Sequence, residues 1–171
     1  MNRNWNKDWR KSIIIMSGGF DPIHKGHLRM FREASWLGHH VVVGLNSDEW
    51  LTRKKGKPFM NFEERKEIIE GFKYVNQVIP FDDSDDTASD LIRRVHSIYD
   101  GKEFDHHYTD DDHMGMVDYY QIYFANGGDR GKGNVPELDV CKELGVTMLW
   151  GVGGGKIQSS SWLINGGKDE V

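Results

Sequence analysis

Two histidines three residues apart, His24 and His27, stand in the stretch Gly18-Gly19-Phe20-Asp21-Pro22-Ile23-His24-Lys25-Gly26-His27. If a helix begins there, residues at that spacing share a face beside its free N–H groups and the positive end of its dipole, a setting that favours bound phosphate. Imidazoles held in such a place can donate hydrogen bonds to charge building on a phosphoryl group. A lone histidine near a helix end is usually a surface or capping residue. A pair bracketed by glycines invites the chemical reading.

The neighbouring residues supply the elements that reading needs. Ser12 to Met16 is a short β-branched apolar run, read as a strand buried on both faces, and the glycines after it permit a tight turn. From Leu28 the apolar residues fall at Leu28, Phe31, Ala34 and Leu37, a spacing that keeps one side of a helix against a core. The pattern G-x-F-D-x-x-H-x-G-H therefore lies between an expected strand and an expected helix. In that context it resembles the signature of the nucleotidyltransferase superfamily, which includes cytidylyltransferases, phosphopantetheine and nicotinamide mononucleotide adenylyltransferases, and sugar-phosphate nucleotidyltransferases. The resemblance implies nucleotide contacts from Gly18, Gly19, Phe20, Asp21, His24 and His27, with the two histidines catalytic. Gly19 departs from the pattern, since relatives often carry a small hydroxyl or thiol residue there.

Further strands are expected at Val41–Leu45, Val75–Pro80, Tyr120–Ala125 and Val146–Trp150. Asn46 to Asp48 ends the second, and Glu49 to Thr52 is expected to form only a short helical turn. Helices are expected from a cap at Asn61 with Ile68, Ile69 and Phe72 buried, through Leu91, Ile92, Val95 and Ile98, from Pro136 to a stop at Gly145, and from Ser159 onward. Strands alternating with helices and no hairpin signal imply an α/β chain: an open Rossmann-like three-layer fold with a five-stranded parallel sheet and helices on both faces. The expected organisation is an N-terminal arm at 1–11 carrying Trp5 and Trp9, a nucleotidyltransferase domain at 12–165 with an irregular insertion at 100–118, and a tail at 166–171.

Four candidate sites then follow strand ends, where open parallel sheets bind ligands. The first is the histidine stretch. The second is the basic run Arg53-Lys54-Lys55-Gly56-Lys57-Pro58 with the Glu63-Glu64-Arg65 segment behind it. A charge run is usually a solvated face, but the resemblance implies that Lys55 or Lys57, together with Arg65, contacts phosphates of donor and acceptor at the mouth. Lys57 and Arg65 are counted as catalytic. The third is Asn126-Gly127-Gly128-Asp129, similar to a family segment near the nucleoside, with a plain turn as the competing view. It implies nucleotide contacts from Asn126, Gly128 and Asp129. The fourth, Gly155-Lys156-Ile157-Gln158-Ser159-Ser160-Ser161, is similar to a second family signature that binds β- and γ-phosphates, which implies Ser159, Ser160 and Ser161 as nucleotide ligands. Hydroxyls at a helix start with a lysine nearby suit an anion, although three serines also serve simply as caps. None of the lysines that follow glycine completes a Walker phosphate loop, and G-x-G-x-x-G is absent from the first strand-helix junction.

Composition bounds the rest. The 171 residues suit one core, and the net charge of −5 does not favour nucleic acid, so a polyanion has to be held by local cations. The single cysteine, Cys141, excludes an internal disulfide framework. No apolar run is long enough for a membrane span and the start lacks a signal-peptide core, so the cytoplasm is the expected location. The arm's tryptophans are expected to pack somewhere, with a homodimer as one expectation.

These readings lead to a nucleotidyltransferase that joins a nucleoside monophosphate, CTP favoured over ATP as donor, to a phosphorylated sugar or polyol and releases pyrophosphate. A Mg²⁺ ion is expected mainly through substrate phosphates. Two rivals are a metal-dependent hydrolase built on Asp105, His106, His107, Asp110, Asp111, Asp112 and His113, which lack recognisable ligand spacing, and a nucleotide sensor without turnover.

Overall fold

The computed structural model describes residues 11–102, 120–127 and 135–166. Among these, β1 (Ser12–Gly18), β2 (His40–Leu45), β3 (Gln77–Pro80), β4 (Gln121–Gly127) and β5 (Thr147–Val152) form one sheet in the order β3-β2-β1-β4-β5. Every pairing is parallel, as expected for strands joined by crossover helices. The order reverses between β1 and β4, which leaves a crevice at their carboxyl ends.

Alternation along β1 divides the interior into two cores. Ile13 and Ile15 face one side with Leu91, Ile92 and Val95 of α4 (Ser89–Tyr99) and Val140 and Cys141 of α5 (Leu138–Leu144). Ile14 and Met16 face the other with Phe31 and Ala34 of α1 (Lys25–Leu37) and Ile69 of α3 (Phe62–Glu70). Each such large side chain contributes about 1.5–3 kcal/mol by leaving water, so β1 is clamped from both faces and its end is a fixed platform. The three-layer α/β expectation holds. Two further helices are α2 (Asp48–Lys55) and α6 (Ser160–Ile164). No helix among the described residues is long and apolar enough to cross a membrane.

Several boundaries and faces differ from the sequence reading. Rather than a short turn followed by a basic loop, α2 continues to Lys55, so Arg53, Lys54 and Lys55 form its last turn, where cations meet unpaired carbonyls and the negative dipole end. In α3 the buried pair is Arg65 and Ile69, one turn apart, which turns Ile68 to a side that is 37% exposed. Ile98, in the last turn of α4, is likewise 36% exposed. Residues 1–10 of the N-terminal arm, the Asp- and His-rich run from 105 to 113 and the tail from 167 lie outside the described residues, and so do Gly128 and Asp129.

Candidate active site

The histidine motif forms the start of α1. His24 is the N-cap residue, and its Nδ1 accepts the Gly26 N–H at 3.1 Å; the Nδ1 of His27 accepts the His24 N–H at 3.3 Å. One amide expected to be free for phosphate is thus taken by a side chain. A Cβ on Gly26 would lie 2.9 Å from Cε1 of His24, so a glycine is required for the imidazole to fold back over the turn. The two rings stack with centroids 3.7 Å apart, and Phe20 meets His27 edge-on at 4.9 Å.

Those bonds determine the tautomers. A neutral imidazole that accepts at Nδ1 carries its proton on Nε2, so each ring offers an Nε2–H donor. Burial, and then the neighbouring His24, pushes the His27 pKa down to about 3, while burial and then Lys156 lower that of His24. Both rings line a cavity of about 340 Å³ at the reversal of strand order. That is in the size range of small-molecule sites.

The end of β1 contributes Ser17, Gly18 and Gly19 to this cavity; the end of β4 contributes Asn126 and Gly127; the segment after β5 contributes Gly153 to Ser160. Asn126 is 3% exposed, and its Nδ2 has no hydrogen-bond partner among the described residues. An unpaired buried amide costs about 1–3 kcal/mol, which a ligand acceptor would offset. Ser159 and Ser160 line the cavity, with Ser160 Oγ donating to the Pro22 carbonyl at 2.8 Å. Ser161 is exposed off the wall and shares a 2.8 Å hydroxyl contact with Ser159. Contrary to a simple capping role, Ser159 makes no side-chain cap bond to α6.

Three expected ligand contacts need correction. Asp21 does not face the cavity: it is 2% exposed, accepts the amides of Phe59 and Met60 at 2.7 and 2.6 Å, and pairs with Lys55 Nζ at 2.9 Å. Burial raises its pKa, but the bonds from Lys55, Phe59 and Met60 outweigh that and hold the carboxyl below its ordinary value. Lys55 is therefore committed to Asp21, and its ammonium also donates to the Asp21 carbonyl. Arg65 is not at the mouth. It is 1% exposed, donating to the carbonyls of Met60, Gly19 and Asn46 at 3.0, 2.8 and 2.9 Å and to the Asp48 carboxylate at 2.6 Å. A rigid guanidinium fork suits that task, since it joins the turn after β1, the end of β2 and the entry to α3.

The rest of the basic run is also largely spoken for. Arg53 and Lys54 pair with Asp86 at 3.2 and 3.5 Å, which leaves Lys57 exposed and without a hydrogen-bond or ion-pair partner among the described residues. Sequence reasoning missed Asp83, whose carboxylate accepts Asn46 Nδ2 and the Ser47 amide and hydroxyl at 2.8–2.9 Å and thereby anchors the end of β2. Its place just after a strand end, inside an otherwise solvated acidic run, was the available signal. Ser17, Met30 and Gln158 were missed as lining residues.

Comparison with known proteins bears on the family and the fold. A family model described as cytidylyltransferase-like matches residues 15–129, most of the chain. The chain belongs to the cytidylyltransferase-like family. Glycerol-3-phosphate cytidylyltransferase of Bacillus subtilis is 35% identical over 79 residues, 46% of this chain and 61% of that protein. The enzyme of the same name from Bacillus spizizenii is 32% identical over 110 residues, 64% of this chain and 79% of that protein. Bifunctional protein HldE of Wolinella succinogenes is 34% identical over 109 residues, 57% of this chain but only 23% of that protein. Among solved structures, a putative nicotinate-nucleotide adenylyltransferase from Vibrio parahaemolyticus aligns over 94% of this chain and 91% of its own with a TM-score of 0.56 at 17% identity, a likeness of fold.

Proposed function

We propose that the protein is a nucleotidyltransferase that moves a nucleoside monophosphate from a nucleoside triphosphate to a phosphorylated sugar or polyol. The carrying observation is the pair of Nε2–H donors of His24 and His27, fixed by their Nδ1 bonds in a cavity at the strand-order reversal. An acceptor phosphate oxygen attacks the α-phosphorus, the bond to the bridging oxygen breaks, and pyrophosphate leaves. No side-chain nucleophile is needed, because the acceptor phosphate is already ionised at neutral pH. Preorganised donors that stabilise charge on the α-phosphoryl group and the departing pyrophosphate act on the transition state without reorganising.

In this reading Ser159 and Ser160 meet the β- and γ-phosphates, Asn126 meets the nucleoside, and Lys57 binds acceptor phosphate. Gly128, Asp129 and Ser161 remain expected nucleotide contacts on the resemblance alone. Arg65, Asp21 and Lys55 act by positioning the turn and the basic segment. The described lining residues include no carboxylate, and no cluster of three metal-ligating side chains occurs among the described residues. That donor set fits a Mg²⁺ ion carried by phosphate oxygens and water, which would supply charge neutralisation on the triphosphate.

CTP is the proposed donor and ATP the alternative. The Bacillus relatives carry the name of a cytidylyltransferase, and Asn126 offers a buried donor to a ring-edge acceptor. Calorimetric titration with Mg²⁺ tests the choice. CTP is expected to bind more tightly, and ATP binding ten-fold tighter, about 1.4 kcal/mol, would reverse it. The reaction class is tested by screening nucleoside triphosphates against phosphorylated sugars and polyols for acceptor-dependent pyrophosphate release. Release without acceptor, or none with any pair, would contradict the proposal.

A further inference from the structure

Helix α1 presents a row of side chains to the cavity. His24, His27 and Met30 follow at steps of three residues, which keeps them on one side of the helix, and all three line the cavity. Three residues advance a helix by about 4.5 Å, so Met30 stands one step further from the helix start than the His27 ring. There it meets the ends of two strands. A Cβ on Gly127 of β4 would overlap Sδ of Met30, and a Cβ on Gly153, just after β5, would lie 2.8 Å from Cγ of Met30. The Gly153 amide also donates to the Glu33 carboxylate of α1 at 2.5 Å. The two glycines are therefore clearances for one side chain, and the Glu33 bond holds the second of them against it.

Met30 borders the part of the cavity that suits a base. Asn126, next to Gly127, is the buried residue whose Nδ2 has no hydrogen-bond partner among the described residues. Ala125 and Val152 are buried and line the same strand ends. An apolar wall beside one buried donor matches a flat heterocycle, whose carbon surface leaves water while one ring-edge acceptor is paired. A thioether chain is unbranched and polarisable, and it packs well against an aromatic ring. Its own atoms already occupy the space beside both glycines, so a larger ring gains no room unless the Met30 side chain leaves.

We propose that Met30 is a specificity-determining residue for the base: seated against Gly127 and Gly153, it closes the nucleoside end of the cavity to the depth of a single ring. The inference rests on the nucleotidyltransferase reading and names the residue that makes a pyrimidine the preferred base within it. A two-ring purine with its edge on Asn126 runs into the Met30 side chain, whereas a one-ring pyrimidine rests on it. Small differences of fit in an apolar pocket shift discrimination by roughly 10- to 200-fold.

Calorimetry with CTP, ATP and inorganic tripolyphosphate, each with Mg²⁺, tests this on wild type, Met30→Ala and Met30→Leu. Wild type is expected to bind CTP more tightly than ATP. Met30→Ala is expected to tighten ATP and weaken CTP, lowering the preference for CTP by roughly 10-fold or more, with tripolyphosphate within about three-fold of wild type. Met30→Leu, of similar volume, is expected to keep the preference. Met30→Val retains more of the packing and gives the same readout should the alanine variant not fold. A preference unchanged by shortening Met30, a preference of wild type for ATP, or an equal loss of CTP, ATP and tripolyphosphate would overturn the assignment while leaving the nucleotidyltransferase reading intact. Failure of the wild type to bind any nucleoside triphosphate would overturn both.

Discussion

The imidazole of His24 lies on that of His27 at 3.7 Å, and each presents Nδ1 to a backbone amide of the same turn. Two imidazolium ions stacked so closely would repel, and protonating either Nδ1 would break a cap bond. The pair is therefore held neutral with both Nε2–H groups as donors. It caps the helix with the same four residues that the proposed reaction needs for phosphate recognition.

This neutrality has a pH signature. His27 has its folded pKa depressed to about 3, below the ordinary 6.5, so the unfolded chain binds more protons between those values. Stability from His27 is then fully present above about 6.5 and is lost as pH falls toward 3, at about 1.4 kcal/mol per unit. The His27 ring is expected to show no NMR titration between pH 5 and 8. A midpoint near 6.5 would mean the ring is not buried as described.

Arg65→Ala is expected to destabilise the protein by roughly 2–4 kcal/mol, because three carbonyls and Asp48 lose their donor in a buried place. Arg65→Lys should recover little, since one ammonium cannot span those acceptors. Thermal denaturation with parallel kinetics checks this. A wild-type melting temperature with only a raised KM for the acceptor would return Arg65 to the mouth of the site.

Asp21→Ala should loosen the segment that begins at Lys55 without removing any group that lines the cavity. The amides of Phe59 and Met60 both donate to the Asp21 carboxylate, so their hydrogen exchange is the direct readout. Faster exchange at these two amides, with a lower kcat and little change in nucleotide affinity, is the expected outcome. Unchanged exchange would show that the segment is anchored elsewhere.

The sheet and its helices were legible because β1 and β2 are continuous apolar runs and α1 carries a clear apolar stripe, signals that are local in sequence. The placement of His24, His27 and Asn126 at one cavity was legible for a related reason, since strand ends collect at one edge of a parallel sheet. What could not be read was which charges neutralise each other. Arg65 and Asp48 are 17 residues apart, and Lys55 and Asp21 are 34 apart; nothing in a one-dimensional charge pattern distinguishes a buried pair from a solvated run. The acidic run after β3 illustrates the same point, because Asp83 is a buried hub while Asp86 balances the end of α2 on the surface.

The central claim is that the Nε2–H groups of His24 and His27 act on the transition state, and single-turnover kinetics paired with nucleotide affinity test it most directly. His24→Ala and His27→Ala are each expected to lower the rate of the transfer step by roughly 10²- to 10⁴-fold while the Kd for the triphosphate changes by only a few-fold. The opposite pattern, a near-normal transfer rate with weakened binding, would show that the histidines hold ground-state phosphate only and would contradict the account.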